Sequence, residues 1–128
     1  MTAAERSRVA DAIAEAERGT TGVVAVRVIR HETRDAFEHA KREFERAGMH
    51  RHQHANAALI LVAPKARRFA VIGDAALHER VGDEFWQRIV DEMRGQLAAG
   101  AIADAVVTGV RRLGEAFHTH FPSGGDPA

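Results

Sequence analysis

Hydrophobic positions along the chain alternate between helical spacing and short unbroken runs, and the two patterns follow one another in order. Val9, Ile13 and Ala16 recur at helical spacing behind Thr2-Ala3-Ala4-Glu5. That quartet reads as a capping box, with the Thr2 hydroxyl accepting a backbone N–H and Glu5 reaching back. Gly19 ends this helix. Residues 22–29 carry Val23, Val24, Val26, Val28 and Ile29 and predict a mostly buried strand. A second helix, capped by Thr33 or Asp35, shows an apolar stripe of Ala36, Phe37, Ala40, Phe44 and Ala47 and stops at Gly48. Residues 49–55 are polar and rich in histidine, hence a loop. Ala57–Ala63 is a second buried strand, Pro64-Lys65-Ala66-Arg67 a turn, and Phe69-Ala70-Val71-Ile72 a third strand closed by Gly73-Asp74. Residues 75–81 fit one short helical turn. A longer helix over 83–99 buries Phe85, Trp86, Ile89, Val90, Met93 and Leu97, and Gly100 breaks it. The last helix, Ile102 to His120, buries Ile102, Val106, Val110, Leu113 and Phe117. From Pro122 on the chain reads as a disordered tail, so a domain over 1–122 and a tail over 123–128 are expected.

These elements constrain one another. Two strands joined by a four-residue turn are antiparallel neighbours. The first two strands, joined by a helix, are expected to be parallel. The result is an α/β domain, a small mixed sheet with helices on both faces. One end of that sheet should collect Thr20, Thr21, Gly22, His50, His52, His54, Asn56, Asp74, His78, Glu79, Asp83 and Glu84. The opposite end should hold Lys65, Arg67 and Arg68. Loops at one end of a rigid sheet are where function tends to reside.

Composition narrows the classes. The 128 residues suit one domain. Eighteen basic and eighteen acidic residues cancel, which argues against a general nucleic-acid binder. The absence of cysteine removes disulfides, thiolate zinc sites and a Cys nucleophile. The polar start of the chain has no signal-peptide pattern and no run is long enough to span a bilayer, so the expected location is the cytoplasm. The serines, Ser7 and Ser123, sit far from any nucleophile elbow, and no glycine-rich phosphate loop is present.

Metal binding is one candidate chemistry for the histidine loop, the other reading being a solvated polar loop in a chain with eight histidines, and Asp74 could also act as a general base. In an extended segment, His50, His52 and His54 would point the same way and could share a divalent ion, completed by Asp74 or Asp83. A calcium site built on Asp74 and Asp83 is a separate option, with magnesium or zinc as other candidates. Asp74 could equally cap the following helix. Trp86 could be a stacking surface or core, and Arg67-Arg68 a phosphate grip or a solvated tip.

The ordered set Thr20-Thr21-Gly22, Gly48-Met49, Asn56, the buried strand, the arginine turn, Gly73-Asp74, Phe85-Trp86 and His120-Phe121-Pro122 resembles the TPM domain (also called the TPM phosphatase domain) over about residues 5–122. The resemblance implies an α/β/α sandwich with a sheet of about four strands. It also implies a bacterial protein of a family in which some members look like metal-binding acid phosphatases, using acidic residues in the same loops. This sequence departs from the family pattern at Val23, His52, Ala57 and Ala76. Two functions are thus expected: a metal-dependent phosphatase-like hydrolase, or a non-catalytic, stress-related binding module with a protein partner.

Overall fold

The computed structural model describes residues 1–30 and 33–123. The elements run α1 (Ala3–Glu17), β1 (Val23–Val28), α2 (Ala36–Arg46), β2 (Ala57–Ala63), β3 (Arg68–Gly73), α3 (Ala75–Ala98) and α4 (Ile102–His120), with short 3-10 turns at Met49–Arg51 and Pro64–Ala66.

The sheet has the order β1-β2-β3. β1 and β2 are parallel from Val23↔Ala57 to Val28↔Val62. β2 and β3 are antiparallel from Ala58↔Gly73 to Ala63↔Arg68. β2 reads as an unbroken apolar run because both its faces are covered, and all seven of its residues are buried. Ala58, Ile60 and Val62 face a core shared with α1, α3 and α4. Ala57, Leu59 and Leu61 face a smaller core under α2, with Ala36, Ala40, Phe44 and Met49. Each fully buried Leu or Ile there contributes roughly 1.5–3 kcal/mol of transfer free energy.

Two expectations need correction. The sheet has three strands among the described residues, not about four. Among the described residues the chain after Gly73 forms α3 and α4, with Thr20–Pro122 an isolated bridge beyond them, and the free edge of β1 is covered by side chains. Glu17 Oε2 accepts from Val24 N at 2.9 Å, and Arg27 Nη1 donates to Val26 O at 3.1 Å. Phe37, placed in the α2 stripe, is 54% exposed. Ala36, Ala40 and Phe44 repeat every four residues and form a stripe narrow enough for one helix on a narrow sheet, and Phe37 falls to its side.

The helical boundaries follow local chemistry. Thr2 and Glu5 form the capping box at 3.0 and 2.8 Å. Gly82 (φ 76, ψ 172) splits α3 into two helices, the conformation only glycine adopts freely. Gly22 lets the start of β1 lie on Phe117, since a Cβ there would come within 2.4 Å of the ring. The last described residues are pinned: Pro122 bridges Thr20, and Ser123 N donates to Gly19 O at 2.8 Å. The rest of the expected tail, 124–128, lies outside the described residues. No helix among the described residues is long and apolar enough to cross a membrane.

Candidate functional site

The register puts the starts of β1 and β2 and the end of β3 side by side, which places Thr21, Gly22, Asn56 and Asp74 at one end of the sheet as the topology requires. Asn56 is fully buried, and its Nδ2 donates to Thr21 Oγ1 at 2.8 Å. Its Oδ1 has no protein partner. Asp74 stands beside it in the ladder, its N donating to Ala57 O at 2.9 Å. Asp74 Oδ1 accepts from Ala75 N at 2.8 Å and caps α3, while the buried Oδ2 has no partner. Two unpartnered oxygens, an amide and a carboxylate, thus sit within a few residues of one sheet end. Buried acceptors left unpaired are costly and call for an explanation.

The N-terminus of α3 is fully occupied. Ala55 takes the left-handed conformation (φ 51) and turns its carbonyl onto that helix, accepting from Ala76 N at 3.0 Å and Leu77 N at 3.3 Å. His78 N donates to Asp74 O at 3.0 Å. With Ala75 N on Asp74, the first four N–H groups all have partners, and none is free to grip an anion. Sequence reasoning gave Ala55 no role. A positive φ at alanine has no residue-type signal, so nothing in the chain marked it.

His78 is held in a short chain. Trp86 Nε1 donates to His78 Nδ1 at 2.9 Å, and His78 Nε2 lies 3.5 Å from Asp83 Oδ1. With Nδ1 accepting, the proton of a neutral ring sits on Nε2, facing Asp83. The ring therefore presents no free lone pair for general-base work. Trp86 is partly buried, its ring packed where a Cβ on Gly73 would come within 2.5 Å. Asp83 is almost wholly exposed at 96%.

The histidine loop is not extended. Met49–Arg51 form a 3-10 turn, and Ala55 N donates back to His52 O at 3.0 Å. His50 lies in the first turn. His52 and His54 have ring centroids 5.9 Å apart, and His52 Nδ1 accepts from His54 N at 3.3 Å. Among the described residues no three His, Asp or Glu side chains converge to hold a metal jointly. No three of His50, His52, His54, Asp74 and Asp83 form such a group. Zinc takes three or four protein ligands, and no such set is assembled among the described residues. Asn56 Oδ1 and Asp74 Oδ2 are oxygen donors of the kind a hard cation takes.

A three-stranded mixed sheet, with three helices on one face and one on the other, and a loop rim at the Asn56–Asp74 end, defines an α/β/α domain. The sequence profile of the TPM domain matches residues 1–116. The chain belongs to the TPM domain family. Its structure is similar to the NMR structure of the BA42 protein from the psychrophilic bacterium Bizionia argentinensis, with TM-score 0.87 and 29% identity over 97% of this chain and 86% of that one. It shares its fold with the N-terminal domain of cg2496 from Corynebacterium glutamicum, with TM-score 0.75 and 12% identity over 100% of this chain and 80% of that one. Among curated proteins no sequence matches the chain significantly.

Proposed function

We propose that this TPM domain is a non-catalytic binding module whose rim takes a hydrated calcium or magnesium ion through Asn56 Oδ1 and Asp74 Oδ2. The observation that carries the reading is that, of the three buried side-chain oxygens without partners among the described residues, Asn56 Oδ1 and Asp74 Oδ2 lie at this sheet end, the third being Gln96 Oε1 on α3. A hard cation satisfies both, with water filling its other positions. When bound, the ion supplies a fixed positive charge at this end of the sheet.

Binding is favoured over phosphatase-like hydrolysis for two reasons. Hydrolysis of a phosphate ester needs donors aimed at the phosphoryl oxygens, and the amides at the start of α3 are all in use. It also needs a group to take a proton from the attacking water; the acceptor nitrogen of His78 is held by Trp86, and Asp74, the other candidate base, is here the ligand of the ion.

The test is an NMR titration of chelator-stripped protein with calcium, magnesium, manganese and zinc in turn. Shifts confined to residues 55–57 and 73–77 with calcium or magnesium, and absent in Asp74→Asn, are expected. Asp74→Asn keeps a good helix cap, so stability should change by no more than about 0.5 kcal/mol. Zinc shifts centred on His50, His52 and His54 would replace the oxygen site with a nitrogen site. Metal-dependent hydrolysis of p-nitrophenyl phosphate that disappears in Asp74→Asn would establish the enzyme reading instead.

A further inference from the structure

The sheet end opposite the candidate site is basic, and nothing above uses it. β1 and β2 finish there, and the β2–β3 hairpin turns there. The topology therefore gathers Arg30 from beyond β1, Arg34 from just before α2, and Lys65, Arg67 and Arg68 from the hairpin. All five are exposed. None has an ion-pair partner among the described residues, a state they share with Arg42, Arg51, Arg80 and Arg111. In the described parts of these two segments the one acidic side chain is Asp35, whose Oδ1 is engaged with Glu38 N as the cap of α2. The first turn of α2 begins at the same end and carries Phe37, 54% exposed, beside exposed Glu38, with Lys41 Nζ 5.9 Å from the ring centroid and 3.4 Å from Glu38 Oε2.

We propose that this basic end docks the domain on an anionic lipid surface. Guanidinium and ammonium groups meet headgroup phosphates, and Phe37 enters the interface beside them. An exposed aromatic ring among basic side chains is the composition of an interfacial anchor. The attraction is local, because the chain as a whole has zero net charge at pH 7. Lipid is favoured over single-stranded nucleic acid, which calls for a basic groove with several stacking platforms in series. Here one aromatic stands at a sheet end, and the grooves between α1 and α4 and between α3 and α4 lie elsewhere.

The test is co-sedimentation of the full chain with phosphatidylcholine vesicles, with and without phosphatidylglycerol. Binding is expected only with phosphatidylglycerol present, and it should weaken as salt rises. Neutralising two hairpin charges in Arg67→Gln/Arg68→Gln should lower partitioning about 25-fold, at about fivefold per basic residue. Arg30→Gln/Arg34→Gln should do the same from the other segment, which guards against a folding defect in either pair. Phe37→Ser should weaken binding too, while Arg80→Gln/Arg111→Gln, away from this end, should not. Equal binding to neutral vesicles, no binding at all, or an equal loss in the Arg80/Arg111 pair overturns the proposal. So does a short single-stranded oligonucleotide that displaces vesicles through the same residues, since it identifies a nucleic-acid surface.

Discussion

Ala55 shows how much of the candidate site depends on one backbone choice. Its left-handed conformation costs on the order of 1 kcal/mol for a residue with a Cβ. In return its carbonyl caps α3 and helps close the rim around Asn56 and Asp74. Ala55→Gly should therefore stabilise the fold by about 0.5–1 kcal/mol, read as a higher urea midpoint with an unchanged slope. A lower midpoint would mean that the methyl group packs usefully and the conformation is not strained. Asp74 was legible in the sequence because Gly-Asp closes a strand. Asn56 was legible as a rim residue but not as a buried one, because its burial comes from the strands on either side. The histidines misled for a physical reason. Alternate residues share a face only in an extended segment, and this one coils into a 3-10 turn and doubles back at His52 and Ala55.

Among the elements, sequence pattern was most informative where periodicity was long. The short helix and long helix expected on either side of Gly82 are present, joined at that glycine. The covered faces of β2 are as its apolar run implied. Side-chain ties between helices left no trace in the pattern, since their partners are far apart in the chain. Arg112 on α4 donates to both oxygens of Glu92 on α3 at 2.8 Å and also reaches Glu115. These hydrogen bonds hold the Glu92 carboxyl below its ordinary value of 4.5 and raise the Arg112 guanidinium further. A carboxyl with a depressed folded value contributes stability above pH 4.5 and loses it as pH falls through the folded value. Glu92→Gln should thus cost up to about 1 kcal/mol at neutral pH, the upper range for an exposed pair. The difference from the parent should shrink as urea unfolding is repeated at progressively lower pH below that value. A gap that stays constant would place the effect in packing and not in charge.

At the scale of the whole molecule, the three-stranded sheet leaves β1 and β3 as its edges. The fourth strand implied by family resemblance is absent among the described residues, where β3 is followed by α3 and α4 and only the isolated Thr20–Pro122 bridge pairs beyond them. A free edge is a template on which a second copy can add its own strand. Net charge keeps many proteins apart in solution, but here eighteen basic and eighteen acidic residues cancel. Protection falls instead to the carboxylate of Glu17, which occupies Val24 N on the outer side of β1. Glu17→Ala should leave the monomer folded yet raise light scattering in concentrated solution at neutral pH, with thioflavin fluorescence growing over time. If the solution stays clear, the flanking Arg27 and the pinned chain around Pro122 shield the strand without it. One side chain at the end of the first helix would then matter to the domain's solubility far more than its modest share of folding energy suggests.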